Sequence, residues 1–516
     1  MMPRASRSLI AILVLLVLFV LPDVVRAQDR SDLVFPDQEE KICIVFANGD
    51  QGGLLGGSRA PEGNKLAERI RKELDLPFHR SVIKLAQCSR NFAGDGVGPN
   101  VLFLSLNEGG FPRHGLALKE GEKITEYPNL NFVDLVMNEP RLDAGGLQIF
   151  SHELGHVMMM NLWVNFPQAR SSKQHASMGV TDYAVAFFEG WGEHFQRLAF
   201  DQIPFYQAAF QESYEYHRST GTLWHSNLDR ELRLFGVLQN TYIHRKRLPA
   251  VDLGQMSLEE LIALDHASPL FDRCSLKNAQ EMLSCEGVIA TLFYRINSDK
   301  ILQNHYLEKA FYERFLLSPM PEGVKAQDLF TPFENVILKN FLVWRNLSGR
   351  VTEKDDIFLA YIREWCRSFP EDREEILKLF VLTTVGKTVS NELGDIYEKM
   401  AYYGMVGNMR EFLKSGEGFN ASFRKLYKAL LCGARSLDAN VGPQIWVENK
   451  KLFISNPLWG TGPKKPLRIN LNTASEFELA SFPETGLKRA RELVRIREKL
   501  SFFKSLEEAR KYGFRN

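Results

Sequence analysis

Cysteine is scarce in this chain, with 6 residues in 516, and no two of them stand as C-x-x-C. The low count excludes a disulfide-built scaffold, and the missing pair excludes a cysteine-ligated zinc knuckle. A charge excess of either sign is also missing, since 64 Lys and Arg face 63 Asp and Glu. That balance excludes a protein that coats nucleic acid or anionic membrane along its whole surface. No apolar run beyond residue 27 reaches 18 residues, so no membrane-spanning helix is expected in the body. Internal repeats and low-complexity tracts are absent. Two glycine-rich stretches, Gly52–Gly57 and Gly94–Gly98, neither continue as G-K-[ST] nor take the form G-x-G-x-x-G. They read as loops rather than phosphate cradles.

What is present points to a folded, exported protein. With 45% hydrophobic and 25% charged residues the composition is globular. Arg4 and Arg7 precede an apolar run from Leu9 to Leu21, then Pro22 and Val25-Arg26-Ala27. This is the pattern of a signal peptide cleaved after Ala27, too short to cross a bilayer, with an uncleaved anchor as the competing reading. The mature chain is then expected in the periplasm or outside the cell. Only Cys274 and Cys285 are close enough in sequence to suggest a disulfide, against the alternative of buried thiols.

Short β-rich runs at 41–47, 101–106 and 131–137, with an amphipathic stretch at 63–74, give an α+β part over residues 28–142. From 143 to 455 the periodicity is helical, as at 257–264, 279–297, 355–368, 372–384 and 390–403. A Pro/Gly-rich connector at 456–466 separates a last unit, 467–516. The expected fold class is therefore α+β, with a small N-terminal sheet, a large helical body and a small all-α C-terminal domain.

The chemistry concentrates at Ser151-His152-Glu153-Leu154-Gly155-His156. Asp143 is placed to cap a helix with Leu147, Phe150, Leu154 and Val157 on its apolar face. On such a helix His152 and His156, four residues apart, share one side and can close on one metal ion. Glu153, beside the first of them, can reach a water at that ion without ligating it. The alternative is a pair of histidines hydrogen-bonded in a core. A second helix from Asp182 carries Glu189 and Glu193, again four apart, with Gly190 and Gly192 permitting close approach to the first. If Glu189 supplies the third ligand, Glu193 can accept a hydrogen bond from the outer nitrogen of His152. His194 is turned about 100° from Glu193 and should point away from an ion that Glu189 faces.

These segments resemble the gluzincin metallopeptidases, which hold zinc by H-E-x-x-H on one helix and a Glu on a following one. The resemblance implies a zincin-like fold, Zn2+ on His152, His156 and Glu189, Glu153 as general base, Glu193 as a supporting carboxylate and a peptide or protein substrate. It also suggests that the strand at 101–106 is a sheet edge for an extended peptide. This chain differs in having 32 residues between His156 and Glu189, and Phe188 where aminopeptidase N-like members have Asn. His225, Tyr242, His244 and Tyr294 are candidates for stabilising an oxyanion, with nothing in the sequence to choose among them.

The last unit is basic, with 13 Lys and Arg against 7 Asp and Glu from Lys464 to Asn516. Thr473 with Glu476 reads as a capping box, Pro483-Glu484-Thr485-Gly486 as a turn, Leu487–Leu500 as an amphipathic helix, and Ser505 with Glu508 as a second box. From Ile469 it resembles the helix-hairpin-helix domains of bacterial DNA-uptake proteins. That resemblance implies phosphate contacts at Gly486, Lys488, Arg489 and Arg491. Glu484 stands where the family has Gly and repels a phosphate, so packing or protein contact is expected over DNA binding. A DNA-uptake-associated protein with structural zinc, and an inactive peptidase-like scaffold, are the rival readings.

Overall fold

The computed structural model describes residues 31–36, 41–95, 98–220, 235–248, 253–454 and 465–516. The expected signal peptide, His225 and most of the Pro/Gly-rich connector lie outside the described residues. Among those described, no helix is long and apolar enough to cross a membrane.

The N-terminal sheet closes into a five-stranded barrel in the order β1-β2-β4-β5-β3. Its strands are β1 (Cys43–Gln51), β2 (Leu54–Arg59), β3 (Val101–Leu104), β4 (Phe111–Glu120) and β5 (Lys123–Leu135). Side chains alternate as a strand requires: Cys43 and Val45 fill the barrel with Phe103, Leu116 and Phe132, while Ile44 faces the main core. The glycine run read as a loop is corrected here, because Leu54–Arg59 pairs with both β1 and β4. Its composition has a packing cause. A Cβ on Gly57 would stand 2.4 Å from Val45 and 2.7 Å from Phe103. Closure also overturns the expected free edge, since β3 is hydrogen-bonded to β1 on one side and to β5 on the other. No extended peptide can pair with a strand that has no open side.

Helices α1 (Lys65–Leu74) and α2 (Pro77–Ala93) share the main core with Ile44, Leu102 and Val133 of the barrel strands. The helical body follows with α3 (Glu139–Asp143), α4 (Gln148–Leu162), α5 (Tyr183–Gln202) and α6 (Pro204–Thr220). Asp143 does not cap α4. It ends α3 and pairs with Arg69, and α4 starts from Leu147 without a side-chain cap. The anticipated single apolar face is too modest a description of α4, in which Phe150, Leu154, Val157, Met158 and Met159 are buried together with both histidines. A helix covered on every side belongs in the middle of a core. It packs on α2 and β5 and on α5.

Farther along come strand β6 (His244–Lys246), α7 (Leu258–Ala267), strand β7 (Phe271–Leu276), α8 (Ala279–Leu283) and α9 (Glu286–Ser298). The body is completed by α10 (Pro332–Leu347), α11 (Ile357–Ser368), α12 (Arg373–Thr383), α13 (Asn391–Met405) and α14 (Met409–Leu431). The stretch expected as one helix at 279–297 is two, broken at Ser284-Cys285. The disulfide suggested for Cys274 and Cys285 is not formed: both are free thiols, Cys285 buried against the Ser177 carbonyl and Cys274 beside Met405.

Strands β8 (Trp446–Ile454) and β9 (Lys465–Asn470) pair antiparallel, so the chain on either side of the connector forms one hairpin. Then come α15 (Glu476–Ala480), α16 (Gly486–Leu500) and α17 (Leu506–Lys511). The first capping box is two residues later than the sequence suggests: Ser475 and Glu478 form it, while Thr473 donates to the Asn470 carbonyl. Ser505 does accept from the Glu508 amide. Leu467, Ile469, Phe477 and Leu493 share a core with Leu261 and Ile262 of α7, so this segment is packed onto the helical body.

His79 is one of several buried histidines that give the fold a pH dependence. His79 in α2 is wholly buried between the Glu73 carbonyl, 2.9 Å from Nδ1, and the Tyr206 hydroxyl, 3.3 Å from Nε2. Burial lowers its pKa to about 4 from the usual 6.5, so the unfolded chain takes up this proton first as pH falls. Stability is therefore lost between pH 6.5 and 4, by at most about 3.4 kcal/mol from this residue. In His79→Gln the gap between urea midpoints at pH 7.5 and pH 5 should narrow. An unchanged gap would show that His79 does not contribute to acid lability.

Candidate metal centre

Helices α4 and α5 are held together at the residues that matter. Trp191 donates from Nε1 to the Gly155 carbonyl at 3.0 Å, locking α5 onto the middle of the H-E-x-x-H turn. Asp182 starts α5 by accepting from the Val185, Arg170 and Ser171 amides at 2.7 to 2.9 Å. Gly192 makes the contact possible: a Cβ there would meet His152 Nε2 at 2.6 Å and His156 Cε1 at 2.8 Å. Gly190, on another side of α5, lets α9 approach as closely, since its Cβ would meet the Ala290 amide and the Glu286 carbonyl at 2.9 Å.

Within this frame His152, Glu153 and His156 form a buried triad, 4%, 3% and 2% exposed, with one donor atom of each within 4.8 Å of the others. Glu189 joins from α5, its Oε2 lying 3.6 Å from His152 Nε2 and 3.5 Å from His156 Nε2. Two N or O donors bonded at about 2.0–2.1 Å in a tetrahedral site stand about 3.4 Å apart, so the donor set matches the edge of such a site. Neither Nδ1 has a hydrogen-bond partner, so the polar contact of each ring is on its Nε2 side, toward Glu189. The ring of His156 also stacks on Phe188, centroids 4.0 Å apart and nearly parallel. Burial alone would raise the pKa of Glu189, but His175, His156 and His152 outweigh it and hold the carboxylate well below its usual range. The site can thus offer a cation two imidazoles and an ionised carboxylate, with Glu153 alongside.

Glu193 is placed differently from the expectation. Its carboxylate accepts from Ser177 Oγ and lies against Glu286, and His152 makes no hydrogen bond to it. His194 does point away, with Nδ1 on the Trp191 carbonyl and Nε2 taking the Asn297 amide at 3.0 Å. Burial keeps it neutral, with a pKa lowered to about 3. Of the oxyanion candidates, Tyr294 donates to Asp201 and Tyr242 packs against Gly287.

Two residues that carried no signal in the sequence complete the surroundings. His175 Nδ1 stands 3.6 Å from Glu189 Oε2 and 3.4 Å from Glu286 Oε2. The segment that bears it is clipped to the start of α9 by Gly287 N to Ser177 O and Thr181 N to Ser284 O, both 2.9 Å. His175 sits in no motif, and Glu286 is separated from the other donors by almost a hundred residues.

In the C-terminal segment, Glu484 and Gly486 both take positive φ, 62° and 60°, so the turn is as tight as the sequence suggests. Arg489 pairs with Glu492 at 2.6 Å and Arg491 with Glu476 at 3.1 Å, leaving part of the basic surface internally neutralised. No family model, no curated protein and no solved structure matches this chain.

The close fit of α5 yields a direct prediction. Gly192→Ala puts a methyl into the two imidazoles and should weaken binding of a divalent cation on the order of 100-fold while helix content holds, as read by competition with a chromophoric chelator. Wild-type affinity in this variant would mean that the histidines do not bind the ion at this spot.

Proposed function

We propose that the protein is an exported zinc-dependent metallopeptidase of the gluzincin kind, with His152, His156 and Glu189 as the zinc ligands and Glu153 as general base. The observation that carries this reading is the convergence of both Nε2 atoms on one Glu189 oxygen at 3.5 to 3.6 Å, with Glu153 beside them. Zinc, when bound, supplies a Lewis acid that acidifies water and polarises a carbonyl. The chain's own part is to hold and move the proton. Glu153 is nearly dry, so its carboxylate is well placed to take a proton from water and to give it to the leaving amine. Glu189 retains 18% side-chain exposure and His175 37%, so substrate reaches the site from their side.

The C-terminal segment serves in this reading as a packing module rather than a DNA-binding one. Lys173, two residues before His175, pairs with Glu478 at 2.9 Å with both side chains buried, and Ser172 accepts from the Arg468 amide at 2.8 Å. The module therefore braces the segment that flanks the metal centre.

Turnover is the test. Zinc-loaded protein given a broad pool of peptides should cleave them, stop when chelated and resume on zinc return. One zinc bound with no cleavage of any pool would leave a metal-holding scaffold, and salt-dependent retention on DNA would favour the nucleic-acid reading.

A further inference from the structure

We propose that a second divalent cation binds between His175, Glu189 and Glu286, beside the ion held by His152 and His156, with the Glu189 carboxylate shared between the two. The proposal rests on the metallopeptidase reading only for the first ion. One donor atom each from His175, Glu189 and Glu286 falls within 4.8 Å of the others, and these residues come from three separate parts of the chain. The spacings of 3.6 Å and 3.4 Å from His175 Nδ1 to the two carboxylates match those that the first pair of histidines makes to Glu189. Both sets fit the edge of a tetrahedral donor shell.

Glu286 is the independent observation. Its side chain is 1% exposed, and the polar groups that meet its carboxylate are the His175 imidazole, 3.4 Å away, and the Glu193 carboxyl. A buried carboxylate ordinarily pairs with cations or accepts several hydrogen bonds, because its desolvation is otherwise uncompensated. Glu153, Glu189, Glu193 and Glu286 bring four carboxyl groups into one neighbourhood, three of them buried and Glu189 18% exposed. A second ion would take His175 and Glu286, which the first ion's ligand set does not include. His175, one-third exposed, gives that ion access to solvent and to substrate, where carboxylate-bridged pairs of ions clamp a polarised oxygen from two sides.

The experiment counts metal in the intact chain. Protein stripped with a chelator and re-equilibrated with zinc is analysed by atomic emission, and a parallel cobalt(II) titration is followed by visible absorption. Two equivalents per wild-type chain are expected, with two phases in the cobalt titration. His175→Ala and Glu286→Gln should each keep one equivalent, and His156→Ala should disturb the other phase. Circular dichroism of each variant confirms the fold, and Glu286→Gln, which preserves shape, decides the matter if His175→Ala is unstable. A wild-type chain that saturates at one equivalent overturns the second site. If that equivalent survives His175→Ala, the first zinc reading stands, and if it is lost, His175 belongs to the first ion. No bound metal at all overturns both proposals.

Discussion

If the chain is the zinc peptidase proposed above, exchanging Glu153 for Gln should leave zinc content at the wild-type level and lower kcat for peptide hydrolysis about 10²–10⁴-fold, the usual span for loss of a general base. The two results belong together. Glu153 is grouped with His152 and His156 in the same buried triad, yet the ligand convergence is onto Glu189, so an amide at 153 removes a proton acceptor without removing a donor to the ion. Gln is close to Glu in volume, and the site is nearly closed to solvent, so packing in α4 should be kept. Metal content and turnover are to be measured on one preparation. If turnover falls along with zinc, Glu153 is a ligand and the assignment of roles is wrong; if neither changes, another group takes the proton.

The second large effect concerns the attachment of the C-terminal segment. Arg497 on α16 is 1% exposed, and donates to the Leu471 and Ala474 carbonyls at 3.0 and 2.7 Å and to Glu281 of α8 at 2.9 Å. Arg497→Met keeps the volume but leaves Glu281 buried and short of its nearest cation, and two carbonyls without donors. Breaking such a pair from one side costs about 3–5 kcal/mol. Arg245, 4.0 Å from Glu281, can offset part of it. Arg489→Ala on the same helix is the control: its partner Glu492 is exposed, so the change should stay within about 0.5 kcal/mol. Urea unfolding of the full chain, with limited proteolysis of residues after 465, reads both variants. Equal stability for the two would show that the buried pair does not hold the segment in place. Because Lys173 and Ser172 tie the segment to the chain beside His175, loosening it should also weaken any metal binding that depends on His175.

Read from sequence, the spacing of His152 and His156 was sufficient because an α-helix repeats every 3.6 residues, so four positions apart means one side whatever the helix packs against. The same periodicity separates His194 from Glu189, and small side chains at 190 and 192 signalled a close approach whose targets turned out to be α9 and the two imidazoles. Burial on all sides of α4 was harder to see, since a helix without a polar face loses the pattern that a one-sided helix shows. Glycines in Leu54–Arg59 argued for a loop because their cause, contact with Val45 and Phe103 inside a barrel, involves residues of other strands.

Local chemistry in the chain therefore determined the triad, the second helix with its carboxylates, and a basic, well-capped C-terminal unit. Tertiary structure alone decided that the sheet closes and denies β3 a free edge, that Ser177 rather than His152 occupies Glu193, and that His175 and Glu286 meet at Glu189. The division has a single physical origin. Helical repeat and capping are fixed by backbone geometry over a few residues, whereas these meetings depend on how distant segments are packed by a common core, for which a linear sequence carries no period.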